Sequence, residues 1–165
     1  MSDQETEVII YTDGGASGNP GPGGYGTVLL YGPHKKELSA GYRLTTNNRM
    51  ELMAVIIGLE ALKKPGLLVV VVSDSKYVVD AVQKGWVFTW ERNRFKKKKN
   101  PDLWVRFLKI YRQHHVRFHW VKGHNGTLYN ELADKLAVSA YQKGNLLVDE
   151  GYESGLADGE DGSLF

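Results

Sequence analysis

The run LLVVVVS at residues 67–73 constrains the fold more than any other stretch. An uninterrupted apolar run of strand length has no polar face for water, so it belongs inside a sheet covered on both sides. Lys64-Pro65-Gly66 ends a helical pattern just before it. In that pattern, over residues 48–63, Met50, Met53, Ala54, Ile57 and Ala61 recur at helical spacing. A helical segment at 75–83, stopped by Gly85, follows the run. Upstream, residues 7–12, 24–31 and 36–44 read as three strands with short connections, an antiparallel meander. Downstream come a helix at 102–114, a strand at 116–121 and a helix at 128–142. The order β-β-β-α-β-α-α-β-α predicts an α/β fold. Its five-stranded mixed sheet has three antiparallel strands then two parallel ones, with helices on both faces.

The 165 residues suit one domain. Residues 1–145 form the expected folded unit, and residues 146–165, glycine-rich and acidic, form an expected flexible tail, disordered or loosely docked. Cysteine is absent, which excludes disulfides, thiolate metal sites and cysteine nucleophiles and suits a reducing compartment. The first seven residues are polar rather than signal-like, and no apolar run approaches the roughly 20 residues of a membrane span. The expectation is a cytoplasmic protein, monomeric by default. The net charge of +2 conceals an asymmetry. All six acids after residue 148 lie beyond the last Lys or Arg, leaving 21 basic against 13 acidic residues in 1–148, a charge of +8. Between Lys84 and Lys122 there are 12 basic residues and two acids, Glu91 and Asp102. Such a concentration points to a polyanionic partner or to a solvated helical face.

Four carboxylates stand out. Asp13 follows the first apolar strand inside YTDGGASGNPGPGGYG (11–26), a stretch that reads as a long glycine- and proline-rich loop. Asp74 follows the LLVVVV strand and precedes a helix. Glu51 lies three residues after Asn48, and Asp134 lies in the last helix one turn after Asn130. Singly, each has an ordinary explanation: a turn residue, an N-cap, half of a capping box, a surface charge. Jointly, Asp13 and Asp74 end strands that lie side by side, and Glu51 comes from the helix feeding the second of them. Carboxylates brought together repel and raise one another's pKa unless a cation sits among them. An all-oxygen ligand set points to Mg²⁺ or Mn²⁺ rather than zinc.

These pieces resemble ribonuclease H of type 1, the bacterial form. The matching segments are YTDGGASGNPGPGGYG (11–26), TTNNRMELMA (45–54), SDSKYV (73–78), GWVFTWERNRFKKKK (85–99), DLW (102–104) and WVKGHNGTLYNELADKLA (120–137). The resemblance covers nearly all of residues 7–143. It implies a ribonuclease H-like fold and endonucleolytic cleavage of the RNA strand of RNA–DNA hybrids, giving 5′-phosphate and 3′-hydroxyl ends. It places the metal-binding carboxylates on Asp13, Glu51, Asp74 and Asp134, with two Mg²⁺ ions bound alongside substrate, and the mobile-loop histidine on His124 of KGHNG.

The resemblance also assigns a substrate surface. Asn19, Asn47, Asn48 and Glu51 lie in loops that face the RNA 2′-hydroxyl, the group that tells RNA from DNA. Thr46 with Asn19 resembles part of a pocket for a DNA phosphate, and Asn130 lies near the carboxylates. Trp86, Trp90 and Trp104 fall at family positions beside the channel, where aromatic faces pack on deoxyribose, with plain core packing the alternative for at least one of them. Arg92, Arg94, Lys96, Lys97, Lys98 and Lys99 match a basic protrusion that grips the backbone without reading sequence. Two departures stand out: the protrusion is shorter than in many relatives, and Lys76 replaces a glutamine near the RNA. A strand-transferring integrase or transposase domain of similar fold and a non-catalytic hybrid-binding module are the alternatives. The loop after Asp13 lacks a Gly-Lys-Ser/Thr ending, which disfavours a nucleotide-binding P-loop.

Overall fold

The computed structural model describes residues 7–123 and 127–159. Three strands open the chain: β1 (Val8–Ala16), β2 (Gly21–Tyr31) and β3 (His34–Thr45). Helix α1 (Asn47–Glu60) leads to β4 (Leu68–Ser73). Three helices follow, α2 (Lys76–Gln83), α3 (Trp86–Arg92) and α4 (Pro101–Tyr111). Then come β5 (His115–Trp120) and α5 (Leu128–Gln142). The described part ends with a short helix, α6 (Glu150–Glu153), and a single 3₁₀ turn at Leu156–Asp158.

The strands form one mixed sheet in the order β3-β2-β1-β4-β5, the three antiparallel and two parallel strands expected. The apolar run occupies β4, between β1 and β5, where Val69, Val71 and Val72 are buried. Helices cover both faces, and alternation along β2 decides which. Thr27 donates its hydroxyl to the carbonyl of Ala54 in α1 at 2.8 Å, while Gly26 faces α5. Beneath α1 the core is filled by Met50, Leu52, Ile56, Leu59, Trp104, Phe107 and their neighbours, none of them exposed.

Three features differ from the sequence reading. First, YTDGGASGNPGPGGYG is mostly strand. β1 runs on to Ala16 and β2 starts at Gly21, with Asp13 opposite Gly26 and Ala16 opposite Gly23, so only residues 17–20 form the turn. The glycines serve close packing. A Cβ on Gly14 would lie 2.6 Å from the Glu51 nitrogen, and one on Gly26 would lie 2.8 Å from the Ala137 nitrogen and clash with the Ala133 carbonyl. Second, α3 is a helix within the Trp- and Lys-rich segment, entered through Gly85 at φ 75°. Third, residues 147–158 return to the body and dock there through main-chain and ionic hydrogen bonds, closer than the loose docking that the sequence offered beside disorder. Leu147 exchanges main-chain hydrogen bonds with Gly41 and Arg43, at 2.9 Å each, and the Ala157 carbonyl accepts from Asn100 N at 2.7 Å.

The anchor of that return is ionic. Arg49 of α1 is 1% exposed. Its Nε and Nη2 donate to Asp149 at 2.8 Å, its Nη1 and Nη2 to Asp102 of α4 at 2.9 and 2.8 Å, and Nη1 also to Asn100 at 3.2 Å. Thr45 adds a hydroxyl to Asp149 at 2.7 Å. A guanidinium whose donors are met bidentately from two sides can be buried, because charge-assisted hydrogen bonds replace those it made to water.

Candidate active site

The site forms where β1 and β4 part. The last parallel pair between them is Tyr11–Val72, and two residues further along each strand stand Asp13 and Asp74. Helix α1 crosses β1 at Gly14, which lets its backbone approach closely and brings in Glu51. One ligand oxygen from each of Asp13, Glu51 and Asp74 lies within 4.8 Å of the others. From the other face, α5 rests on Gly26, the cross-strand neighbour of Asp13, and Asp134 hydrogen-bonds the Asp13 side chain. The four expected carboxylates thus meet, from four separate elements.

The ordinary explanations for these residues are taken by others. Thr46 caps α1, accepting from Arg49 N at 3.3 Å, so Glu51 has no capping-box role with Asn48. Ser75 caps α2, accepting from Val78 N at 3.3 Å, which leaves the Asp74 carboxylate out of the cap.

Electrostatics identify the cluster as unfavourable by itself. Burial, the hydrogen bond with Asp134 and the charges of Asp74 and Asp134 raise the Asp13 pKa to about 8. Burial first, then the charges of Asp13 and Asp74, push Glu51 well above the usual carboxylate range. Glu51 Oε1 and Asp74 Oδ1 are buried acceptors that receive no hydrogen bond among the described residues. Buried acceptors without donors, crowded with like charge, fit a cation-binding role, and an all-oxygen set fits Mg²⁺ or Mn²⁺.

The surrounding residues divide. Asn130 is buried at the site wall, lining a small recess with Asp13, Asp74 and Thr12. Asn19 accepts from Asn47 N at 3.0 Å, and Asn47 Oδ1 accepts from Ala16 N at 2.6 Å, so both amides pin the β1–β2 turn to the start of α1. Asn19, Thr46, Asn48 and Lys99 line a cavity of about 310 Å³, together with Tyr152 and Asp158 of the returning segment. Lys99 meets Asp158 at 3.4 Å. Trp86 is 45% exposed, with the Lys84 ammonium 5.1 Å from its ring centre. Trp90 is half-buried beneath Lys98, 5.2 Å away. Arg92, Arg94, Lys96 and Lys97 are exposed on α3 and the loop after it, as is Lys76 at the start of α2.

Trp104 is a correction. It is fully buried, its indole N–H donates to the Tyr77 hydroxyl at 2.9 Å, and it packs against Trp90 and Phe107. It belongs to the core and has no face for a substrate. His124 lies outside the described residues. Sequence reasoning passed over Trp120, the last residue of β5, whose indole N–H donates to the Asp74 carbonyl at 3.1 Å. Its signal was position: the same parallel edge as Asp74, one strand over.

Comparison with known proteins shows the family. The RNase H family model matches residues 5–142. The "Ribonuclease H" of Trichodesmium erythraeum is 54% identical over 158 residues, 93% of this chain and all of that protein. The "Ribonuclease HI" of Synechocystis is 51% identical, over 92% of this chain and 98% of that protein. Among solved structures, LC9-RNase H1 superposes with a TM-score of 0.76 at 32% identity, covering 98% of this chain and 86% of that one. LC11-RNase H1 in complex with an RNA/DNA hybrid gives a TM-score of 0.62 at 32% identity, covering 82% and 96%. Matched along most of its length by sequence and by fold, with four acidic side chains gathered where two parallel strands diverge, the chain belongs to the ribonuclease H family.

Proposed function

We propose that this protein is a metal-dependent endonuclease that hydrolyses the RNA strand of RNA–DNA hybrids, leaving 5′-phosphate and 3′-hydroxyl ends. The observation that carries the reading is the Asp13–Glu51–Asp74 cluster, in which Glu51 Oε1 and Asp74 Oδ1 are buried without a donor among the described residues. These three residues, flanked by Asp134, would hold Mg²⁺, two ions when substrate is present, with Mn²⁺ able to substitute. Bound there, divalent ions would supply the charge that acidifies the attacking water and offsets charge on the leaving oxygen. Asp13 is the natural central ligand, since Asp74, Glu51 and Asp134 all adjoin it. His124, one residue beyond Gly123, would carry a proton or ease product departure, as a side chain titrating near neutrality can.

The substrate reading rests on the same end of the sheet. Asn19, Asn47 and Asn48 cluster beside Glu51 at the entry of α1, where the 2′-hydroxyl of RNA would lie. Trp86, Lys84 and the exposed cations from Arg92 to Lys99 form a second, basic region for the other strand. That a relative was solved with an RNA/DNA hybrid supports this choice of substrate. The basic helix–loop and the asparagine cluster favour hybrid cleavage over strand transfer, and the carboxylates would repel phosphate in a module that merely binds.

The test is cleavage of end-labelled hybrid, double-stranded RNA and double-stranded DNA, with Mg²⁺ or with EDTA, using Asp13→Asn as control. Hybrid-only, Mg²⁺-dependent cutting with labelled 5′-phosphate products is expected. Equal cutting of double-stranded RNA, or an Asp13→Asn protein as fast as wild type, would end the proposal.

A further inference from the structure

Trp120 touches two functional groups at once. As the last residue of β5 it pairs in parallel register with Ser73, and the Val121 N–H donates to the Ser73 carbonyl at 3.0 Å. Its indole Nε1–H reaches past that pair to the main-chain carbonyl of Asp74. On the ring itself rests the ammonium of Lys76, 4.8 Å from the centroid. Trp120 is 38% exposed and Lys76 is exposed, so the contact sits at the mouth of the site.

The link between β4 and α2 is the part of the site that most needs holding. The chain turns there through two residues, Asp74 and Ser75, and Asp74 Oδ1 has no donor of its own among the described residues. Ser73 Oγ accepts from Ser75 N at 3.0 Å and Ser75 Oγ caps α2, so two bonds fix the turn from within. The indole bond fixes it from outside, on the peptide that a rotation about residue 74 would swing. A carboxylate that must present an oxygen to a cation loses affinity when the groups behind it are free to turn.

We infer that Trp120 is a positioning residue with two arms: its N–H holds the Asp74 peptide in the cation-binding orientation, and its ring holds the Lys76 ammonium ready for a phosphate of the cleaved strand beside the scissile bond. The inference rests on reading Asp74 as a metal ligand. Lys76 lies two residues beyond that ligand at the start of α2, so its charge stands at the edge of the carboxylate cluster, where the phosphate being cut would lie. An ammonium over an indole face keeps its charge while giving up rotamer freedom before substrate arrives.

Separate readouts address each arm. Mg²⁺ affinity is measured by calorimetry on substrate-free protein, and hybrid affinity by anisotropy in EDTA across a salt series. Trp120→Phe keeps a ring and loses the N–H. It should weaken Mg²⁺ binding about tenfold, the usual scale for a group that orients a ligand, and leave hybrid affinity within about twofold of wild type. Trp120→Leu loses both arms and should also weaken hybrid binding roughly threefold, as Lys76→Gln does alone, with the Lys76→Gln salt slope shallower by about 0.7–0.9. The Trp120→Leu/Lys76→Gln protein should bind hybrid no more weakly than Lys76→Gln. Unchanged Mg²⁺ affinity in Trp120→Phe, or wild-type hybrid affinity in Lys76→Gln, overturns the inference. Both of these variants are conservative, so the outcome does not depend on Trp120→Leu folding. Wild-type protein that cleaves no hybrid would instead remove the functional reading beneath it, and the inference with it.

Discussion

Replacing Asp149 by Ala should destabilise the whole domain, although Asp149 lies in a segment whose composition suggests a tail. The carboxylate is 3% exposed and takes two of the hydrogen bonds from Arg49 and one from Thr45. Breaking a buried pair leaves the partner charge uncompensated and typically costs about 3–5 kcal/mol. Asp102 would still hold Arg49 from the other side, which favours the lower end, about 3 kcal/mol. For a chain of this length, that corresponds to a fall in Tm of about 6–12 °C. The pH dependence has a definite sign. Burial alone would raise the Asp149 carboxyl, but the hydrogen bonds from Arg49 and Thr45 outweigh it and hold the group below its ordinary 3.8. A depressed carboxylate contributes stability above its unfolded-state pKa and loses it as pH falls through the lower, folded-state value. The Tm gap between wild type and Asp149→Ala should therefore be full near neutrality and close as pH drops below about 4. Thermal melts followed by circular dichroism between pH 3 and 7 measure this. Glu153→Ala, which removes only an exposed partner of Arg43, is the control and should leave Tm nearly unchanged. A fall of less than about 2 °C for Asp149→Ala, far short of the 6–12 °C expected, or a gap that stays constant down to pH 3, would refute the reasoning.

Asp13→Asn should abolish cleavage yet melt above wild type in EDTA at pH 7. With the Asp13 carboxyl raised from 3.8 to about 8, its penalty on folding grows as pH climbs between those values. Uncoupled, the shift would amount to roughly 4 kcal/mol at pH 7, and sharing among neighbours reduces it to about 1–3 kcal/mol. A variant no more stable than wild type in EDTA would contradict this, and the difference should vanish near pH 4 and shrink with Mg²⁺. Gly26→Ala should cost about 1–3 kcal/mol by pushing α5 off the sheet, and should lower kcat as Asp134 moves from Asp13. Unchanged melting and unchanged kcat together would show that the helix does not rest there. Replacing Lys96, Lys97 and Lys98 by Ala should weaken hybrid binding at low salt and flatten its salt dependence by about 0.7–0.9 for each phosphate no longer neutralised. An unaltered slope would place the duplex elsewhere.

The sheet was legible because the apolar pattern changes period sharply, from alternation through helix spacing to the solid LLVVVV run. Asp13 and Asp74 were legible because topology carries adjacent parallel strands to the same edge, and Glu51 because its helix feeds the second of them. The readings that failed were those in which one residue type serves two ends. Glycine in residues 14–26 suggested a loop, whereas it serves the approach of α1 and α5 to extended backbone. Trp104 suggested a substrate platform, but Leu103, Trp104, Phe107 and Leu108 form the buried stripe of α4, a spacing visible in the sequence. Asp149 gave no local signal at all. Its meaning depends on Arg49, 100 residues earlier, and composition reports charge without reporting its partner.

The parallel pairing that carries Tyr11 opposite Val72 has a consequence for how preparations of this protein are judged. Side chains alternate along a strand, so a slip of β1 by one residue would turn Asp13 to the opposite face and carry Ile10 out of the core beneath α1. No misregistered molecule could keep partial activity, because the same displacement removes the nucleus of the site and the nucleus of the core. Specific activity in this protein therefore reports strand register as well as folding, and a population one residue out of step would lack turnover even where its circular dichroism resembled the native.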